Sequence, residues 1–168
     1  MTTVVVSVGT DHHRFDRLVQ WVDRWAANHR DIDVLIQRGT SARPDTARSV
    51  DMMGYDDLMA AMRAATVVVV QGGPAGIVDA RSCGHRPIVV PRRPDLGEHV
   101  DGHQVTFARW MAARDQIFLA EDEDTLTRLL DEAMEDPEPF RVTDHGGTPP
   151  AIAAFAAAVD PLLARRRR

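Results

Sequence analysis

The sequence predicts an α/β fold, a largely parallel sheet of about six strands with helices on both faces. Three observations carry this. Apolar runs such as Val4 to Val8 and Val67 to Val70 are continuous rather than alternating, as in strands buried on both faces. Between them, Phe15, Leu18, Val19, Val22, Trp25 and Ala26 recur at helical spacing. The two patterns then alternate along the chain, which calls for right-handed crossovers between parallel neighbours.

In order, strands are expected at Val4 to Val8, Val34 to Gln37, Ser49 to Met53, Val67 to Val70, Ile88 to Val90 and Ile117 to Leu119. Helices are expected from Phe15 to His29, from Tyr55 through Met62, over Ala75 to Cys83, from near Asp101 through Met111, and over Thr125 to Met134. Gly84 is placed to end its helix in the left-handed conformation that glycine adopts cheaply. Residues 1–136 form one domain. Residues 137–150 carry the prolines and glycines of a linker, and 151–168 form a final alanine-rich helix with an arginine tail.

At 168 residues, 44% hydrophobic and 27% charged, the chain has the composition of a soluble globular protein. No apolar run approaches the roughly 20 residues needed to span a bilayer, and MTTVVVSVGT lacks the basic start of a signal peptide. A cytoplasmic protein is expected. Net charge of −5 argues against general nucleic-acid binding. The single cysteine, Cys83, leaves neither an internal disulfide nor a cysteine-based zinc cluster. Arg165 to Arg168 are either a solvated tail or an attraction to anionic lipid or an acidic partner.

In such sheets ligands bind at the carboxyl ends of the strands, near the topological switch point. The Gly9 turn, the Gly72-Gly73 turn and the Pro91 to Gln104 loop should therefore share one rim. Ser7-Val8-Gly9-Thr10-Asp11-His12 holds one glycine, so it is no dinucleotide fingerprint, and no P-loop motif occurs. A strand opening through Gly72 and Gly73 into a helix presents free backbone N–H groups to a phosphate. Asp79, further along that helix, either accepts hydrogen bonds from a ribose or is a surface acid.

The pairs Asp31/Asp33 and Asp122/Asp124 have metal-motif spacing but sit where aspartates cap or solvate elements. His99 and His103, with Glu98 and Asp101, would make a metal site on one helix. Asp101-Gly102 interrupts that helix, which favours hydrogen bonding to a polyhydroxylated ligand. Met52, Met53, Met59, Met62 and the tryptophans read as packing. His12 and His13 are either acid–base or phosphate groups or merely polar residues before a helix.

Four separated stretches together carry a resemblance: Ser7 to Thr10, Gly72 to Ala80, Pro87 to Arg92 and Gly97 to Gln104. In order and position they resemble the C-terminal domain of family 28 glycosyltransferases, especially stand-alone subunits of split enzymes, over about residues 3 to 135. The resemblance implies a Rossmann-like GT-B C-terminal half-domain that binds a UDP-sugar without a metal or other cofactor. Asp79 would hold the uridine ribose, and Gly73, Ala75 and Gly76 the diphosphate. Gln104 with His103 would contact the donor sugar, Gly54-Tyr55 would read the uracil, Gly9 with Thr10 would form the first phosphate-facing turn, and Gly72 and Glu98 are further donor-binding candidates. Two positions depart from the family pattern. Asp79 stands where Glu is usual and Gly76 where Ser or Thr is usual, both bearing on donor affinity.

The resemblance further implies an inverting transferase that passes a sugar such as N-acetylglucosamine, glucose or glucuronate to a lipid-linked acceptor. A membrane-anchored partner would hold that acceptor and the catalytic base, leaving His12 as the local catalytic candidate and this chain peripheral at the cytoplasmic face. The alternatives are a nucleotide-sugar-binding regulatory subunit without turnover, or an epimerase, which needs both halves in one chain.

Overall fold

The computed structural model describes residues 3–142. The helix expected over 151–164 and the arginine tail lie outside them. Six strands form one all-parallel sheet: β1 (Thr3–Ser7), β2 (Asp33–Gln37), β3 (Arg48–Val50), β4 (Val67–Gln71), β5 (Ile88–Val90) and β6 (Phe118–Leu119). Their spatial order is β3-β2-β1-β4-β5-β6. The order reverses between β1 and β4, which lie side by side with Val6 opposite Val69, and that is where such sheets open a crevice.

Side chains alternate across the sheet and fill two cores. Val4, Val6, Val67, Val69, Ile88 and Val90 meet helices α1 (Asp16–Asn28) and α5 (Glu123–Glu135) on one face. Val5, Val68, Val70 and Val89 meet α2 (Tyr55–Ala64), α3 (Pro74–Ser82) and α4 (His103–Ala112) on the other. Both faces are covered, so the strands need no polar side, and their continuous valine runs follow. Among the described residues no helix is long and apolar enough to cross a membrane.

Several boundaries shift for visible reasons. β3 ends at Val50 rather than Met53 because the Met53 N–H is taken by the Gln37 side chain at 3.0 Å. α4 begins at His103 rather than Asp101, whose carboxylate instead accepts the His103 N–H at 3.0 Å. α5 begins two residues early on an Asp122 cap that accepts from Thr125 N–H at 2.7 Å. Gly84, at φ +89°, ends α3. There His85 N–H returns to Ala80 O at 3.1 Å and Gly84 N–H to Arg81 O at 2.9 Å.

The stretch read as linker starts as packed structure. Glu138–Phe140 is a 3₁₀ turn, and Phe140 is buried and stacked on Phe118 at 4.3 Å. Arg141 then lies beside the fully buried His85, whose Nε2 donates to Met62 O at 2.7 Å. Burial holds this imidazole down at about 4, and the Arg141 charge pushes the same way.

The loops at the carboxyl edge are tied by a fully buried arginine, Arg92, just past β5. Its Nη1 donates to His13 O at 2.8 Å and Glu98 O at 3.0 Å, and its Nη2 to Val8 O at 2.8 Å. The guanidinium lies over the Phe15 ring at 4.7 Å. Burial lowers its pKa, while the charges of Asp11 and Glu98 oppose that shift.

Two outcomes are expected. Arg92→Leu leaves three inward carbonyls without their donor and should lower stability by about 3 kcal/mol or more in denaturant unfolding; a loss under about 1 kcal/mol would contradict the role. Native His85 stays neutral while the unfolded chain takes up a proton near pH 6.5, so its contribution is complete above that pH and is lost toward about 4. His85→Gln should therefore reduce the slope of unfolding free energy against pH in that window by up to about 1.4 kcal/mol per unit. An unchanged slope would refute it.

Candidate functional site

A cavity of about 220 Å³ opens at the carboxyl ends of β1, β2 and β4, at the switch point. Six of the residues singled out from sequence line it: Gly9, Thr10, Tyr55, Ala75, Gly76 and Asp79. Each arrives by a different route. Gly9, at φ +80°, turns the chain sharply out of β1. Ala75 and Gly76 form the first turn of α3, which starts on Pro74 and has no side-chain cap among the described residues. Its first N–H groups and the positive end of its dipole thus lie at the cavity wall. Asp79 lies further along α3 and accepts the Tyr55 phenol at 3.1 Å, bridging α3 to the start of α2. That hydrogen bond, and the carboxylate charge behind it, hold the Tyr55 phenol above its usual range.

The other named residues sit elsewhere. Gln104 is buried behind the cavity, and its Oε1 accepts from both Gly72 N–H and Arg92 N–H at 3.1 Å. A side chain at Gly72 would come within 3.0 Å of Gln104 O and 3.1 Å of Pro91 Cα, so glycine there allows two backbones to approach. Gly73 gives its N–H to the Gln71 side chain. Glu98 is buried in a two-pronged pair with Arg17, both contacts at 2.8 Å, and also accepts Arg93 N–H at 2.9 Å. His103 pairs with Asp101 at the rim. His12 is 85% exposed there, its ring 4.1 Å from that of His13.

Sequence reasoning left out several lining residues. Gln71, at the end of β4, reaches across the cavity floor: it meets Gly73 N–H and would lie 3.1 Å from a side chain at Gly9. A glutamine closing a valine strand announces nothing by itself. Met52, Met53, Leu58 and Met62 form an apolar wall. Met62 does pack in the core as expected, but Met52 is 51% exposed at the mouth because the chain has already left β3. One aspartate of each pair has a structural role: Asp122 caps α5, and Asp33 pairs with Arg48 at 2.8 and 2.6 Å. A second groove of about 490 Å³ runs between Pro91–Asp95 and α4, where the charges of Arg93 and Arg109 are matched by Asp95 and Glu121.

Chemically, the cavity offers backbone donors and a helix dipole for an anion, a carboxylate acceptor for hydroxyls, and an apolar wall beside an exposed tyrosine. Those are the requirements of a nucleoside diphosphate.

No curated protein matches the sequence significantly. Solved structures do match the fold. The glycotransferase of kitacinnamycin superposes with a TM-score of 0.63 at 18% identity, covering 83% of this chain and 36% of its own. CalG4, the calicheamicin glycosyltransferase, gives 0.63 at 13% identity, covering 96% of this chain and 44% of its own. MurG of Acinetobacter baumannii gives 0.57 at 14% identity, with 83% and 43% covered. All are GT-B glycosyltransferases, and the chain spans less than half the length of each. The model of the glycosyltransferase family 28 C-terminal domain matches residues 3–147, a span that takes in every strand and helix described above. The chain belongs to that family.

Proposed function

We propose that this chain is the donor-binding half of a glycosyltransferase and that its cavity holds a UDP-sugar. The observation that carries the reading is the convergence of the uncapped α3 start, the Gly9 turn and the Asp79–Tyr55 pair on one space. The diphosphate lies at Ala75 and Gly76, where backbone N–H groups receive it without a metal. Asp79 exchanges its bond to the Tyr55 phenol for bonds to the ribose hydroxyls. Uracil rests between Tyr55 and the Met52–Met53 wall. As an aspartate, Asp79 reaches one methylene less far than glutamate would, and the Tyr55 phenol holds it in place until the ribose arrives.

Transfer then proceeds by direct displacement with inversion. An acceptor oxygen attacks the anomeric carbon, the bond from that carbon to the diphosphate oxygen breaks, and the electron pair leaves with UDP. The α3 dipole stabilises the charge that develops there. His12, exposed at the rim, is this chain's own candidate to meet the acceptor proton or the leaving phosphate. His103 and Gln104 order the loop that faces the sugar.

At about 220 Å³ the cavity is smaller than the roughly 300–1,000 Å³ of a complete ligand site, as one wall of a cleft should be. The opposite wall, with the acceptor and the main catalytic base, is assigned to a membrane-anchored partner polypeptide that presents a lipid-linked acceptor. Support for this lies in the resemblance of its motifs to the stand-alone subunits of split transferases.

The test is UDP titration by calorimetry, followed by transfer assays with a candidate acceptor half. UDP should bind, and Asp79→Ala should weaken it roughly 10- to 100-fold, since hydrogen bonds to a charged group are worth about 1.5–3 kcal/mol. Melting temperature should be nearly unchanged. Equal affinity in the variant would sink the ribose assignment. UDP binding with no transfer alongside any acceptor half would make the chain a non-catalytic subunit.

A further inference from the structure

Four histidines and two aspartates lie on the loops after β1 and leading into α4; none lines the cavity, and the proposed donor site draws only on His12 and His103. Asp11, His12 and His13 follow the Gly9 turn, and His99, Asp101 and His103 lead into α4. The two groups touch, because Asp11 Oδ2 lies 3.3 Å from His99 Nε2. Asp11 Oδ1 in turn holds His13 Nδ1 at 2.6 Å and His13 N–H at 2.7 Å. Burial raises the Asp11 pKa, but these hydrogen bonds and the Arg92 charge outweigh it, so the carboxyl is held below its usual range.

His99 is the hinge of the cluster. Its side chain is 12% exposed, and its nitrogens face opposite ways. Nε2 lies 3.3 Å from Asp11 Oδ2, a close polar contact beside a carboxylate oxygen that favours an N–H there over a lone pair. Nδ1 accepts the Asp101 N–H at 3.4 Å, which requires a lone pair. Both contacts select one tautomer, with the Nδ1 lone pair turned toward Asp101 and His103. An imidazole whose far nitrogen is anchored on a carboxylate is the usual preparation of a metal-ligating histidine.

On that side His99 Nδ1 lies 3.8 Å from Asp101 Oδ1, which His103 Nδ1 also contacts. The ligand atoms of these three residues all fall within 4.8 Å of one another. Tetrahedral ligands bound at about 2.0–2.1 Å stand roughly 3.3 Å apart, so small side-chain rotations would close the set. His99 and His103 are already in edge contact, with ring centres 4.7 Å apart.

We propose that His99, Asp101 and His103 bind a transition-metal dication, with Asp11 as the outer carboxylate that orients His99. Two histidines and one carboxylate leave a fourth position for water, as such ions accept. The metal takes the place of the proton on His103 Nδ1 that faces Asp101, which passes to Nε2 through solvent, and it displaces the Asp101 N–H from the His99 Nδ1 lone pair. It fastens the loop before α4 and, through His99 and Asp11, the loop after β1 that supplies Gly9 and Thr10 to the cavity. None of the three ligands lines the cavity, so the ion is compatible with the metal-free transfer proposed above.

The experiment uses the full chain without a polyhistidine tag, stripped by chelator and desalted, in the absence of UDP. Its result is therefore separate from the donor assignment. Zn²⁺ should bind one to one by calorimetry, and Co²⁺ should give the visible absorption of a tetrahedral site. His103→Ala, at a half-exposed position, should abolish both while leaving the melting temperature of the metal-free chain unchanged. Asp11→Asn should weaken Zn²⁺ binding about 10- to 100-fold, the cost of losing an outer partner. His29→Ala, remote from the cluster, should change nothing. Zn²⁺ affinity weaker than about 1 mM, or tight binding that survives in a His99→Ala/His103→Ala double variant, would overturn the proposal.

Discussion

A single guanidinium buried at the edge of the sheet holds the functional end of this molecule together. Arg92 sits where three segments meet and spends its donors on backbone carbonyls of Val8, His13 and Glu98 rather than on one carboxylate. Those carbonyls belong to turns that leave no regular ladder to satisfy them, and each would cost about 1–3 kcal/mol if buried unpaired. The planar fork is what lets one side chain serve several acceptors at fixed angles. Through Glu98 the tie continues to Arg17 on α1, and through Gln104 it reaches the Gly72 turn that opens α3.

The consequence is a rim whose parts are positioned against each other before any ligand arrives. Gly9 and Thr10 hang on the loop that Arg92 fixes. The start of α3 hangs on Gly72, which is fixed to Gln104. Asp79 and Tyr55 then bridge α3 to α2 across the mouth. A site preorganised in this way loses less to ordering when the ligand binds. Gln104 and Glu98 contribute here mainly by holding the frame.

The fold was legible in the residues because a parallel sheet covered on both faces writes itself as uninterrupted valine runs separated by amphipathic helices. Val67 to Val70, followed by glycines, marks both a central strand and the turn that serves the site. The ends of elements were less legible where a side chain captures a backbone group, as Gln37 does at Met53 and Asp101 at His103. Phe140 looked like part of a linker, because nothing local shows that it stacks on Phe118. Within the site, Asp79 and the α3 start followed from spacing along one helix. Arg92, the Arg17–Glu98 pair and Gln71 did not, since a buried arginine or a lining glutamine reads in sequence like any surface residue, and only long-range packing distinguishes them.

On the proposed reading the cavity at the switch point, rather than the wider groove beside α4, receives the nucleoside diphosphate. Backbone amide shifts followed by NMR as UDP is added distinguish the two places. The largest changes are expected at Gly9, Thr10, Ala75, Gly76 and Asp79, with little at Thr106 or Arg109. Changes centred on Arg93, Thr106 and Arg109, with the α3 start silent, would contradict it.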